Sequence, residues 1–169
     1  MQRVTGVLGG SDDDESNGEN YPEVRYLRPR VAPLQLHVCN DLLSRLVGYR
    51  LQSVQFFPRY VQLSFDSPAA PDSPVLTCEV FPVVDTRDGR ITARQGGYAD
   101  ALWSLIGQPV VDTFEASGEG LRICFAETAV VLRPSVAELR GPVIAMLSDF
   151  ADGNSASWRP GGAAFEYLV

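Results

Sequence analysis

Few side chains in this sequence could act as a catalytic base or nucleophile. The single histidine, His37, lies in an apolar Leu36-His37-Val38 stretch, which favours a structural role over a catalytic one. All 14 basic residues are arginine, so no lysine could act as a general base or form a Schiff base. The inventory predicts a protein that is not an enzyme.

Metal sites and disulfides are equally poorly supported. The three cysteines, Cys39, Cys78 and Cys124, are an odd number and include no Cys-x-x-Cys pair. His37-Val38-Cys39 lacks the further ligands that zinc requires. We therefore predict no metal, no cofactor, and reduced cysteines in the core or on strands.

Three carboxylates, Asp112, Glu115 and Glu119, lie close together in sequence and could form an acid–base pair of the glycosidase kind. Strand ends and turns commonly carry such residues, which is the interpretation we favour. Neither a Gly-x-Ser-x-Gly elbow nor a phosphate-binding glycine loop is present.

Arginine and aromatic residues in predicted loops are the remaining functional signal, because these residue types dominate binding hot spots. Trp103 and Trp158 are instead predicted to lie in the core. The candidate protein-binding residues are Arg59, Tyr60, Arg87, Asp88, Arg90 and Arg159.

Charge is concentrated at the start of the chain. The net charge is −7, and residues 1–24 carry Arg3 against six acids. Residues 1–20 are polar and acidic, which predicts a flexible tail that is either a solubilising segment or an arm for a basic partner. No basic surface for nucleic acid, no apolar run for a membrane and no signal peptide are apparent, which predicts a soluble, cytoplasmic protein.

The elements that would position these residues repeat along the chain. The stretch from Asp41 to Gly48 recurs, 59 residues later, from Asp100 to Gly107. In each copy leucines supply the buried face of a short helix, and a glycine that can take a left-handed conformation ends it. Asn40 or Asp41 could cap the first helix.

Strands with alternating apolar residues follow each predicted helix. Asp88-Gly89 predicts a hairpin between the two copies. The predicted strands are 51–56, 61–65, 75–81, 110–114, 121–125 and 129–132, with short C-terminal strands at 143–147, near Trp158, and at 165–169.

These elements predict an α+β protein that is mainly antiparallel β. Two pseudo-symmetric units of a helix and a β-meander would share one twisted sheet of about eight strands, which can curl toward a barrel. After the tail, residues 21–169 would form one domain. It would comprise unit one at about 39–82, a linking hairpin at 83–97, unit two at about 98–134, and C-terminal strands at 143–169.

A resemblance to known domains rests on three features of the sequence. They are the helix endings Leu46-Val47-Gly48 and Leu105-Ile106-Gly107, the alternating strands that end at Phe65 and Phe125, and the Trp-Arg-Pro-Gly-Gly segment at 158–162. Over about residues 39–169 the pattern resembles small bacterial β-rich domains, some of which look like immunity proteins of toxin systems. The lysine-free composition resembles GC-rich coding, as in an actinobacterium.

The resemblance and the thin catalytic inventory predict a protein-binding module, such as an immunity or regulatory protein that occludes a partner's site. One alternative is a small-ligand-binding protein, or an enzyme, with a site inside the curled sheet. Another is a structural subunit of a homo-oligomer.

Overall fold

The computed structural model describes residues 42–169. Predictions for the tail 1–20, His37, Cys39 and the Asn40/Asp41 cap lie outside these residues. In the described part, 3-10 helices occupy Leu43–Leu46, Val136–Glu138 and Ala163–Leu168, and helix α1 is Tyr98–Trp103. The strands are β1 Arg50–Phe56, β2 Val61–Asp66, β3 Val75–Cys78, β4 Val83–Thr86, β5 Gly89–Ile91, β6 Asp112–Ala116, β7 Gly120–Cys124, β8 Ala129–Leu132, β9 Ala145–Ser148 and β10 Ala156–Trp158.

The first sheet has the strand order β1-β2-β3-β9-β10, and every neighbouring pair is antiparallel. Strand β2 has the predicted alternation, with Val61, Leu63 and Phe65 buried. Strands β9 and β10 complete this sheet, as the sequence predicted.

The second sheet has the order β5-β4-β8-β7-β6 and is also fully antiparallel. Its β4–β5 hairpin turns at Asp88-Gly89, which confirms that prediction. The mainly antiparallel fold is therefore confirmed, but the single shared sheet is wrong. The described strands form two open sheets of five, and neither closes on itself.

A short ladder links the two sheets, and it joins the start of β1 and the residues before it to the segment that precedes β6. It is confined to the residues beside Gly48 and Gly107, and β1 and β6 do not pair with each other beyond it, which explains why the sheets remain separate. The bonds run from Gly48 N to Val110 O (2.9 Å), Gly107 N to Leu51 O (2.7 Å), Leu51 N to Gln108 O (3.1 Å) and Val110 N to Tyr49 O (2.8 Å).

The helices pack across this ladder. The 3-10 helix Leu43–Leu46 contacts β6, whereas α1 contacts β1 and β4. Helix α1 buries Tyr98 and Leu102, and the next turn buries Leu105, which together form one face at helical spacing. The face of α1 that carries Trp103 is consequently directed away from the core.

Both sheets and the helices contribute to one apolar core. Phe65 from the first sheet, Ile123 from the second and Leu102 from α1 are at most 2% exposed and belong to the same cluster. Burial of such side chains stabilises the fold by roughly 1.5–3 kcal/mol each. None of the helices in residues 42–169 is long and apolar enough to cross a membrane.

Two of the predicted strands differ in the structure: one is absent and the other is shorter. The predicted strand 165–169 is wrong, because residues 165–168 belong to the 3-10 segment Ala163–Leu168, which is kinked at Phe165 and buries Ala164, Phe165 and Leu168. A turn precedes this segment, in which Gly161 has φ of +77° and the Gly162 amide donates to the Arg159 carbonyl oxygen. The predicted strand 75–81 ends at Cys78, because a bend follows before Pro82.

Candidate binding surface

Four aromatic side chains meet where α1 crosses the end of β1. Phe56 contacts Trp103 and Tyr98 edge-on, with ring centroids 6.1 Å and 6.2 Å apart, and Phe81 contacts Tyr98 at 6.5 Å. We call Phe56, Phe81, Tyr98 and Trp103 the aromatic cluster. Trp103 is 51% exposed and Phe56 37% exposed, so the outer half of the cluster faces solvent.

The inner half of the cluster is held firmly. Tyr98 is buried, and its hydroxyl donates a hydrogen bond of 2.5 Å to the carbonyl oxygen of Pro82. Burial raises the pKa of Tyr98 above its ordinary value, which itself lies well above neutral pH, so the hydroxyl is protonated and can donate this bond. Tyr98 thereby fixes α1 to the β3–β4 connection and presents Phe56 and Trp103 in a defined orientation.

A groove runs beside the aromatic cluster and consists of two adjoining cavities that share Phe81 and Ala93. The larger, of about 620 Å³, lies between the β3–β4 connection, the segment after β5 and the Val136–Glu138 helix. The smaller, of about 390 Å³, extends along α1 to Phe56. We call this pair of cavities the groove.

The charged residues that line the groove are Arg94, Arg140 and Glu138. The Arg140 guanidinium lies 6.0 Å from the centroid of the Phe81 ring, within the range of a cation–π contact. Neither arginine forms an ion pair with any residue of 42–169. One oxygen of Glu138 accepts hydrogen bonds from the Ser135 amide (2.7 Å) and hydroxyl (2.8 Å).

Arg59 and Tyr60 lie in the β1–β2 turn, directly after Phe56. Tyr60 stacks on Phe57 with ring centroids 4.4 Å apart, while Arg59 is exposed. The turn leaves the same end of β1 that carries the aromatic cluster, so these two predicted residues lie near it along the chain.

The other predicted binding residues lie elsewhere. Arg87 pairs with Glu127 at 2.6 Å and Arg90 approaches Asp85 at 3.8 Å, both beside the β4–β5 hairpin. The Asp88 amide donates to the Thr86 hydroxyl at 3.3 Å within the turn, and Arg159 is exposed after β10. Within residues 42–169 no hydrogen bond or ion pair joins these two loops or connects them to the β1–β2 turn.

The prediction that Trp103 lies in the core is wrong, whereas Trp158 is buried as predicted. Hydrophobicity alone suggested burial, but the spacing of Tyr98, Leu102 and Leu105 already places Trp103 on another helical face. That spacing could have identified Trp103 from the sequence. No local sequence pattern identifies Arg94 and Arg140 as site residues, because they lie on segments that are distant in sequence and meet only in the folded groove.

The three carboxylates that lie close in sequence, Asp112, Glu115 and Glu119, have different contacts. Glu115 accepts a hydrogen bond of 2.9 Å from the Trp158 indole, and burial raises its pKa although that bond lowers it. Glu119 lies in the β6–β7 turn, 3.8 Å from Arg133, and Asp112 accepts a hydrogen bond of 2.8 Å from the Thr113 amide. Each carboxylate therefore has its own local structural contact.

Other reactive groups are also accounted for by structure. Cys78 and Cys124 are free thiols on strands, as predicted, and burial raises the pKa of Cys78. Among residues 42–169, no three His, Cys, Asp or Glu side chains lie close enough together to hold a metal ion. Among residues 42–169, the groove is lined by a single carboxylate and by no histidine or cysteine.

No protein family, curated protein or solved structure was found that matches this chain.

Proposed function

We propose that the groove and the aromatic cluster form the docking surface of a non-enzymatic protein-binding module. The observation that carries the proposal is the pair of exposed aromatic rings, Trp103 on Phe56, beside a groove with two arginines that form no ion pair within residues 42–169. Tryptophan, tyrosine and arginine are the residue types that contribute most to binding energy at protein interfaces.

The proposal includes an internal duplication. The ladder supports it, because each hydrogen bond has a counterpart displaced by 59 residues: Gly48 N to Val110 O corresponds to Gly107 N to Leu51 O. The two glycines have φ of +91° and +86°. The 3-10 helix of one unit packs on the β6 strand of the other, and α1 packs on β1 in return.

The duplication provides an internal comparison for the aromatic cluster. With the same offset, Trp103 corresponds to Ser44 and Phe56 corresponds to Glu115. The crossing of the Leu43–Leu46 helix with β6 thus has polar residues at the positions where the crossing of α1 with β1 has exposed aromatic residues. Because the fold forms one crossing without aromatic residues, packing alone does not require them at the other, which favours a binding role.

A module of this kind would suit an immunity or regulatory protein, because it would cover the segment of the partner that binds in the groove and so block access to that segment. A small-ligand-binding function is the second candidate. The cavity of about 620 Å³ favours it, since small-molecule sites range from about 300 to 1,000 Å³. The exposed Trp103 beside the cavity favours the protein partner.

The test of the proposed function is affinity capture with matched variants. The wild-type protein and Phe114→Ser should both retain one stoichiometric partner, whereas Trp103→Ser should lose it. Phe114 is the appropriate control because it is 59% exposed, and it lies on β6 outside the groove. Retention of the partner by Trp103→Ser, or stabilisation by a small molecule with no protein partner, would overturn the proposal.

The duplication predicts equal effects of Gly48→Ala and Gly107→Ala. An added Cβ meets no atom within 4 Å at either position, so only the positive φ opposes it. Each substitution should lower the free energy of unfolding by about 1 kcal/mol, measured by urea denaturation. Gly141→Ala is the control, because Gly141 has open space without a positive φ. A large effect at one glycine and none at the other would show that the units are not equivalent.

A further inference from the structure

We infer that the segment bound in the groove is acidic, with carboxylates near a large apolar side chain. This inference rests on the proposed docking function and specifies its partner. The apolar side chain would contact Phe81 and the neighbouring Val80, and the carboxylates would pair with Arg94 and Arg140.

The pairing pattern of the arginines supports an acidic partner. Residues 42–169 contain 10 arginines and 14 acids, so carboxylates are in excess. Five of the arginines form ion pairs, the closest being Arg87 with Glu127 at 2.6 Å. Arg94 and Arg140 nevertheless lie in the same groove without an ion pair to any carboxylate of residues 42–169.

Glu138 offsets only one of the two positive charges, and it forms no ion pair with either arginine. Its carboxylate is held at the start of its own 3-10 helix by two hydrogen bonds from Ser135. Counted over residues 42–169, the charged lining of the groove therefore carries a net charge of +1, from two arginines and one glutamate, although these residues together carry −4. A positive groove on a negative protein favours an acidic segment over a basic one.

The apolar part of the groove lining is the reason for proposing a large apolar side chain in the bound segment. Val80 is buried beneath the larger cavity, and Phe81 forms the wall shared by both cavities. Ala93, which is also shared by the two cavities, and Ala137 add apolar surface to the lining. An aromatic or large aliphatic side chain would bury this surface, and the charges beside it would set the specificity.

The shape favours an extended segment over a single small molecule. The two cavities adjoin and lead from Arg140 toward Phe56, where the exposed ring of Trp103 begins. A peptide could span both cavities, whereas a small anion would occupy only the arginine end. We therefore assign the groove to an acidic peptide segment of a partner protein.

Selection from a random peptide display library on the immobilised protein tests the inference. We expect the enriched peptides to share two or more Asp or Glu residues near an aromatic or large aliphatic residue. Synthetic copies should bind the double variant Arg94→Gln/Arg140→Gln about ten-fold more weakly than wild type, and less tightly at high salt. Arg50→Gln is the control for loss of an exposed arginine outside the groove, and it should bind as wild type does.

The outcomes separate this inference from the proposed function. Neutral or basic peptides that bind the arginine variant normally but lose binding to Trp103→Ser would overturn the acidic partner and leave the docking surface standing. Failure to enrich any peptide, or peptides that bind Trp103→Ser equally well, would overturn both. A homodimer in light scattering that Trp103→Ser dissociates would show that the occupant is a second copy of the chain, which also contradicts the inference.

Discussion

Replacement of Gly120 by alanine is expected to lower the free energy of unfolding by about 3 kcal/mol or more. Gly120 begins β7 with φ of +78°, and a Cβ there would lie 2.1 Å from the carbonyl oxygen of Leu132 and 3.2 Å from its carbonyl carbon. These are backbone atoms of the strand paired with β7, so the clash can be relieved only by disturbing the Leu121–Leu132 register.

Gly118→Ala is the matched control for this prediction. It lies in the same turn with φ of +70°, but its added Cβ would meet only the end of the flexible Glu166 side chain, at 3.2 Å. We expect Gly118→Ala to cost about 1 kcal/mol and Gly120→Ala to lower the melting temperature by about 10 °C. Equal melting temperatures for the two variants would contradict the close approach of β7 and β8.

Trp103→Ser is expected to raise the dissociation constant of the partner at least about 30-fold, which corresponds to a hot-spot loss of about 2 kcal/mol. The unfolding free energy should change by less than about 0.5 kcal/mol, because the Trp103 side chain is half exposed and lies outside the core cluster. Titration calorimetry and urea denaturation of the same samples would separate the two effects.

Phe114→Ser is the matched variant for this comparison as well. It removes a more exposed aromatic ring from a surface outside the groove, so its dissociation constant should remain within about two-fold of wild type. An equal loss of partner affinity in the two variants would indicate a general effect of surface hydrophobicity. A loss of stability in Trp103→Ser would indicate that the ring has a structural role.

Local patterns in the sequence predicted much of the fold. The alternation of Val61, Leu63 and Phe65 identified β2 because one face of a strand is buried, and Asp88-Gly89 identified the β4–β5 turn. The division into two sheets depends on which strands pair over long distances, such as β3 with β9 and β4 with β8. Side-chain alternation does not encode those pairings.

The candidate site was harder to predict for the same reason. Arginines in turns were visible in the sequence, yet Arg87 and Arg90 turned out to contact neighbouring carboxylates. Arg94 and Arg140 are 46 residues apart in the chain and meet only because the segment after β5 folds against the 3-10 helix near Glu138. Trp103 could have been identified by helical spacing, whereas its contact with Phe56 depends on the crossing of α1 and β1.

Hydrogen–deuterium exchange of the protein with and without its captured partner tests the docking surface most directly. We expect the partner to slow exchange in 92–104, which includes α1 and the groove-lining loop, and at the β1–β2 turn after Phe56. Exchange in β6, which carries Phe114, should not change. Protection confined to β6 or to the β4–β5 hairpin, with 92–104 unaffected, would contradict the proposed docking surface.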